Sequence, residues 1–144
     1  MAFRGTFDYT LDAKNRLTVP SKFRSALADG VVLAQGLDRC VALWTPAAYD
    51  AFTQATLAGR NPASSEARQL QRFFSANSVD TELDSAGRVM VPPFLIDYAG
   101  LARDVVVTGA GDNLEVWDRA TWSDYNRELA TRVTELTESL GHPS

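Results

Sequence analysis

Few side chains in this sequence have the chemistry of a catalytic centre. Its 144 residues include one histidine, His142, and one cysteine, Cys40. His142 is near the C-terminal end, where chains commonly fray, so it is a poor anchor for a catalytic triad. Cys40 lies in a predicted strand, where a buried structural thiol is expected. The sequence contains no nucleophile-elbow, phosphate-loop or zinc-ligand motif. We predict a protein that is not an enzyme, has no small-molecule substrate, and holds neither metal nor cofactor.

Two aspartates belong to a segment that occurs twice. LDAKNRLTVP, residues 11–20, returns as LDSAGRVMVP, residues 83–92. A pair of aspartates from duplicated halves could share one proton, as in aspartic proteases. That site needs Asp-Thr/Ser-Gly, which neither copy has, and an arginine follows each aspartate closely. We therefore interpret Asp12 and Asp84 as residues that cap a turn through backbone amides.

The same repeat places an arginine directly after each turn. Asn15 and Gly87 occupy one slot, and both residue types adopt the left-handed conformation at low cost. A positive φ there would reverse the chain just before Arg16 and Arg88. A guanidinium held on a rigid turn binds phosphate or guanine at a reduced entropic cost. An Arg–Asp salt bridge within the turn is the alternative. Two copies, with Lys14 beside the first, favour a two-pronged basic surface with exposed arginines.

The duplication predicts the architecture around these turns. Each half, about 45 residues long, reads as a strand, a short β-branched run ended by proline, a short helix and a hairpin. Halves this small cannot bury a sufficient core alone, so we expect one shared core. The fold class is α+β: two ββαββ units forming a small, mostly antiparallel barrel or sandwich with flanking helices. We expect the units at 6–48 and 77–120, a helical linker at 49–76 and a C-terminal helix at 121–144.

The C-terminal helix is predicted from an apolar stripe. Apolar residues recur every three or four positions from Trp122 to Leu140, and Gly141 follows. Such a stripe indicates core packing more often than a partner site. The stripe and the linker NPASSEARQLQRFF are both candidates for a subunit interface, and the sequence does not rank them.

Charge and hydropathy limit the kinds of partner that the protein can have. The formal net charge is −4 and the isoelectric point is near 4.9, the wrong overall sign for a nucleic-acid binder unless basic residues gather on one face. No apolar run approaches the roughly 18–20 residues that span a bilayer, and the N-terminus does not have the pattern of a secretory signal. We therefore expect a cytoplasmic protein without a membrane partner, in keeping with a single cysteine.

The pattern Asp-x-x-(Gly/Asn)-Arg-apolar-x-apolar-Pro, followed by a helix and a hairpin, resembles the SpoVT-AbrB swapped-hairpin DNA-binding domains. Two copies, opening with FRGTF…LD and ending with EVW…W, resemble the MraZ transcriptional regulators of bacteria. The resemblance implies a cytoplasmic, nucleoid-associated regulator of its own cell-division and cell-wall promoter. It further implies swapped-hairpin units with a pseudo-twofold core, and a ring-shaped homo-oligomer that binds direct repeats in double-stranded promoter DNA.

By the same resemblance, the DNA-binding residues are Lys14, Arg16 and Arg88, with Arg4 a weaker candidate. The family has glycine where this chain has Asn15, whose side chain stands where the bare backbone amide of a glycine could approach a phosphate. Ala86 stands where the first turn has Lys14, so the second turn is expected to be less basic. A ring would offset the acidic composition, because several weak contacts act together. The alternative function is an oligomeric interaction protein whose turn arginines form subunit salt bridges.

Overall fold

The computed structural model describes residues 2–141. In chain order, its elements are β1 (Thr6–Thr10), β2 (Arg16–Thr18), a 3₁₀ turn (Ser21–Phe23), β3 (Val31–Gln35), β4 (Val41–Trp44), α1 (Pro46–Leu57), α2 (Ser65–Ala76), β5 (Ser78–Thr81), β6 (Arg88–Met90), α3 (Pro93–Ala99), β7 (Asp104–Gly109), β8 (Leu114–Asp118) and α4 (Arg119–Gly141). The fold is α+β with antiparallel strands, as the duplicated sequence predicts.

The two halves exchange strands. Six strands form one sheet in the order β1-β7-β8-β4-β3-β5. The first strand of the first half pairs with the second half, Thr6 opposite Thr108. The first strand of the second half pairs with the first half, Val31 opposite Thr81. Each half therefore completes the sheet of the other, and the pseudo-twofold relation follows from this exchange.

The remaining two strands form a separate antiparallel ribbon of β2 and β6. Leu17 lies opposite Val89 at its centre, and both side chains are buried. Side chains alternate between the two faces of a strand, so the neighbours of this pair lie on the outer face. The prolines that follow the β-branched runs stand two residues after the ends of β2 and β6.

One core lies between this ribbon and the six-stranded sheet. It draws buried side chains from both halves, including Leu17, Phe23, Leu33 and Leu43 from the first and Val89, Leu95, Val107 and Leu114 from the second. The shared core predicted from the size of the halves is confirmed, while its closure as a barrel stays a prediction.

A second apolar cluster covers the other face of the sheet under α1 and α2. Trp44 and Phe52 stack with ring centroids 4.9 Å apart, and Phe74 of α2 packs edge-on against Phe52. Thr45 and Ser64 cap the two helices by accepting hydrogen bonds from backbone amides. Because α1 and α2 occupy this face, they lie on the side of the sheet opposite the β2–β6 ribbon.

The short helix expected in both halves forms fully only in the second. There, α3 begins with Pro93 and ends at Gly100, which has a left-handed φ of 60°. The first half instead has a 3₁₀ turn and successive i→i+3 hydrogen bonds up to Gly30. Its sequence SKFRSAL has neither the starting proline nor the terminating glycine within the segment.

The preference for core packing along α4 is wrong for this chain. No residue of α4 is buried within the described residues, and Val133, Leu136 and Leu140 are 54%, 40% and 89% exposed. Near its start, Tyr125 stacks on Trp117 of β8 with centroids 4.8 Å apart. Leu129 is half-buried, and from residue 130 to the last described residue, 141, every side chain of the helix is exposed, so this part of the apolar stripe is uncovered.

Candidate nucleic-acid interface

The repeated segment folds into two turns with the same hydrogen bonds. In the first, Asn15 N donates to Asp12 O at 3.0 Å, and Asn15 has a φ of 58°. In the second, Gly87 N donates to Asp84 O at 2.9 Å, and Gly87 has a φ of 76°. Both conformations are left-handed, where asparagine and glycine are the favoured residues. Each turn thus reverses the chain immediately before a strand of the ribbon.

The aspartate of each turn holds the following arginine at two points. Asp12 Oδ1 accepts from the amides of Lys14 and Arg16, both at 2.9 Å, and its Oδ2 accepts from Arg16 Nε at 2.6 Å. Asp84 repeats the arrangement with the amide of Arg88 and with Arg88 Nε, both at 2.9 Å. The salt bridge within the turn is therefore present in both copies. It orients the guanidinium through Nε and leaves the two terminal Nη groups outside the pair.

These bonds also set the charge state of the aspartates. The amide of Arg16, followed by its side chain and the amide of Lys14, lowers the pKa of Asp12 from 3.8 to about 2. The amide of Arg88 is the largest cause of the lowered pKa of Asp84. Both carboxylates are therefore ionised at neutral pH, and each compensates the charge of its arginine.

The two turns are joined across the ribbon. Val91 N donates to Asn15 O, and Val19 N donates to Gly87 O, both at 2.9 Å. Each left-handed residue is thus bonded to the strand of the opposite half. The turns lie at opposite ends of the ribbon because β2 and β6 run antiparallel. This cross-linking holds the two arginine-bearing turns in one rigid unit.

We name the outer side of the β2–β6 ribbon the ribbon face; it consists of Arg16, Thr18, Arg88 and Met90. Arg16 lies opposite Met90, and Arg88 lies opposite Thr18. The arginines are thus diagonal neighbours across the ribbon, about 7–8 Å apart along the backbone and within reach of each other's long side chains. Their side chains are 29% and 34% exposed. They are less exposed than the sequence led us to expect, because the paired aspartates cover part of each guanidinium.

A third arginine, missed in the sequence, lies at the second turn. The Arg24 side chain packs against Gly87, where a Cβ atom would come within 2.6 Å of Arg24 Cδ and Cζ. Arg24 Nε donates to Val19 O at 3.0 Å, which holds the side chain there. The expectation of a less basic second turn omitted this cation, because Arg24 is distant in sequence from Gly87. The sequence did contain a signal, which is a difference between the two copies of the repeat. Arg24 and Gly87 form one pair of positions, and the equivalent pair in the other copy is Ile96 and Asn15.

The remaining candidates have simpler surroundings. Lys14 is exposed on the first turn. Arg4 is exposed before the start of β1, whereas Asp12 follows its end. The length of β1 therefore separates Arg4 from the first turn.

The groups that could support other chemistry are not assembled into a site. Cys40 is fully buried, and burial raises the pKa of its thiol above its ordinary value. His142 lies outside the described residues. Among residues 2–141, no group of His, Cys, Asp and Glu side chains could hold a metal ion. Within the same range, no helix has the length and apolar character needed to cross a membrane.

Comparison with known proteins agrees with the duplicated turns. The family model described as "MraZ protein, putative antitoxin-like" matches the chain twice, over residues 2–73 and 74–140. The transcriptional regulator MraZ of Symbiobacterium thermophilum is 36% identical over 137 residues, 95% of this chain and 99% of that protein. Those of Dictyoglomus turgidum and Lactiplantibacillus plantarum are 37% and 38% identical, each over 96% of this chain and 95% and 97% of their own lengths. The chain belongs to the MraZ family of transcriptional regulators.

Proposed function

We propose that this protein is a sequence-specific DNA-binding regulator that binds short direct repeats in promoter DNA through its ribbon face. The carrying observation is the pair of identical turns, each of which orients an arginine by a two-point bond to its aspartate. A preordered guanidinium loses little entropy when it binds a phosphate or the edge of a guanine. Lys14 beside the first turn and Arg4 before β1 are additional DNA-binding candidates.

The form of the ribbon supports double-stranded DNA as the partner. The major groove of B-DNA admits a two-stranded β-ribbon. Leu17 and Val89 anchor the inner side of the ribbon in the core, so its outer side chains project from a firm base. Two diagonal arginines, with Thr18 and Met90 between them, combine cationic groups with one polar and one apolar contact. Such a surface suits base edges flanked by phosphates.

We further propose that the protein acts as a ring-shaped homo-oligomer. One ribbon face carries few cations on a chain of net charge −4, so a single copy should bind DNA weakly. Several copies at fixed spacing would bind tandem repeats with a much greater effective concentration. The uncovered apolar stripe of α4 supports association, because a contiguous exposed apolar surface commonly marks an interface.

Such a regulator would act in the cytoplasm on the nucleoid, as a repressor of its own cell-division and cell-wall gene cluster. The second candidate is an oligomeric interaction protein whose turn arginines form salt bridges between subunits. The pairing of both arginines with aspartates of their own turns favours the first candidate, because each carboxylate partner is already supplied within the chain.

The test is a salt-titrated binding isotherm on a promoter fragment with tandem repeats and on a scrambled fragment. Arg16→Ala and Arg88→Ala should weaken binding while the oligomer mass is unchanged. Removal of a phosphate interaction reduces the salt slope by about 0.9, whereas removal of a guanine interaction reduces discrimination by about 1–3 kcal/mol at one base pair. Arg39→Ala, exposed between β3 and β4 and outside both turns, is the matched control. Wild-type binding by both turn variants, or dissociation of the oligomer, would favour the second candidate.

A further inference from the structure

The three arginines at the ribbon differ in how their charges are compensated. Arg16 and Arg88 each form a salt bridge with the aspartate of their turn. Arg24, within the described part of the chain, forms no salt bridge, and its only hydrogen bond is from Nε to Val19 O. Its two Nη groups therefore have no acceptor in residues 2–141. Each turn pair is close to neutral, and Arg24 contributes a full positive charge beside them.

The same comparison applies to the first turn. There, the uncompensated cation is Lys14, which forms no salt bridge within the described residues and stands directly in the turn. The equivalent position in the second turn is Ala86, and the equivalent of Arg24 is Ile96. Each turn thus has one neutralised arginine and at least one uncompensated cation, and Arg103, which lines the cavity beside Asn15, adds a further cation near the first turn. In the first turn, the uncompensated cation is Lys14, which belongs to the turn itself. In the second turn, it is Arg24, which belongs to the other half of the chain.

The surroundings of Gly87 show that this placement is built into the fold. Gly87 is buried, whereas the equivalent Asn15 is exposed. Any side chain at Gly87 would overlap the Arg24 guanidinium. At Asn15, a cavity of about 360 Å³, lined in part by Asp12, Ile96 and Arg103, leaves space beside the turn. Glycine in the second turn therefore provides the room that Arg24 occupies.

We propose that Arg24 is a phosphate-binding residue of the second turn and the functional counterpart of Lys14. The inference rests on the DNA-binding function proposed above and adds a residue to its surface. Free Nη groups on a side chain fixed at Nε are arranged to bind a phosphate oxygen in the geometry that guanidinium favours. Both ends of the ribbon face would then present an uncompensated cation to the DNA backbone. Phosphate contacts position a protein on DNA without selecting sequence, so Arg24 should add affinity on any sequence.

The test measures the salt dependence of DNA binding for Arg24→Ala, Arg24→Lys and the control Arg39→Ala. Arg24→Ala should weaken binding to repeat and scrambled DNA by the same factor and reduce the salt slope by about 0.9 for each phosphate that it no longer neutralises. Because of this smaller slope, the loss of DNA affinity of Arg24→Ala relative to wild type depends on salt. It should become about threefold smaller for each such phosphate when the salt concentration is raised from 50 to 200 mM. Arg24→Lys should retain the slope because it keeps the charge.

A second variant separates charge from packing. Adding Ala86→Lys to Arg24→Ala places the cation where the first turn has it, and should restore the salt slope without restoring the Arg24 packing. If Arg24→Ala keeps the wild-type slope, or if its deficit persists in Arg24→Lys and in the Ala86→Lys double variant, the inference is wrong and Arg24 is structural. If wild-type protein does not prefer repeat DNA and Arg16→Ala changes nothing, the proposed function itself fails.

Discussion

Asn15 and Gly87 have the same left-handed backbone in equivalent turns, yet Asn15 is exposed and Gly87 is buried. The difference arises from what lies beside them: the Arg24 side chain covers Gly87, whereas a cavity adjoins Asn15. The side chain of Asn15 is therefore accommodated by local space, which the Arg24 side chain occupies at Gly87. Exchange of the two residues should therefore cost little stability at position 15 and more at position 87.

Asn15→Gly should change the free energy of unfolding by only a few tenths of a kcal/mol, because glycine and asparagine both tolerate this φ. Asn15→Val should cost about 1 kcal/mol or more, since a β-branched residue is strained there. Gly87→Asn should cost about 1 kcal/mol, because its side chain displaces Arg24, which then loses its hydrogen bond to Val19 O. Denaturant unfolding of the three variants measures these differences.

The control for that comparison is the double variant Gly87→Asn with Arg24→Ala, in which the obstructing side chain is removed. It should be more stable than Gly87→Asn alone. If Gly87→Asn and the double variant are equally stable, the cost comes from the backbone and not from Arg24. Equal melting temperatures for Asn15→Gly and Asn15→Val would contradict the left-handed conformation of the first turn.

Asp12 should contribute to stability in a pH-dependent way. Its folded pKa of about 2 lies below its ordinary value of 3.8, so the ionised form is favoured by folding. The contribution is fully present above pH 4 and is lost as the pH falls through 2. Asp12→Asn should therefore be less stable than wild type at pH 7, and the gap should narrow between pH 4 and pH 2. Urea midpoints at pH 7, 4 and 2.5 measure the gap.

Asp29→Asn is the matched control, because Asp29 is exposed and lies outside both turns. Its gap to wild type should be small at every pH. A gap for Asp12→Asn that stays constant down to pH 2.5 would show that the carboxylate charge does not stabilise the turn.

A fragment ending at Asn61 should not fold as a monomer. It contains β1 to β4 but has none of the strands that β1, β2 and β4 pair with in the second half. Two copies could replace the missing half for each other, because the halves are equivalent. Analytical ultracentrifugation with thermal melts should find an unfolded chain or a self-associated one. A monomer that melts cooperatively would contradict the shared core.

The apolar stripe of α4 should support association and contribute little to the fold. Val133→Asp with Leu136→Asp should reduce the oligomer mass by light scattering, because a carboxylate disfavours apolar packing between copies. The melting temperature of the dissociated protein should stay close to that of wild type at low concentration, since neither side chain is buried. Thr131→Asp with Thr134→Asp, which adds equal charge at the same spacing on the opposite side of the helix, is the control. An unchanged mass for the first variant would place the interface elsewhere.

Local patterns in the sequence predicted the elements well, because proline, glycine and alternating apolar residues act over a few positions. Thr45 capping α1 and Gly100 ending α3 are examples. The position of Arg24 could not be predicted this way, since its contact with Gly87 depends on how two distant segments pair across the ribbon. The periodicity of α4 likewise shows an apolar side but contains no information about what covers it. Core packing was therefore the wrong choice for Val133 and Leu136.

The pairing of β1 with β7 also constrains folding during synthesis. Thr6 emerges from the ribosome early, but its partner Thr108 is made 102 residues later. At roughly 5–20 residues per second, the first strand waits about 5–20 seconds for its place in the sheet. During that interval, Phe7 and Tyr9 remain without the core against which they pack. The nascent chain thus depends on late translation to bury its earliest apolar residues, and a pause before β7 would prolong the exposure of an unpaired strand to neighbouring nascent chains.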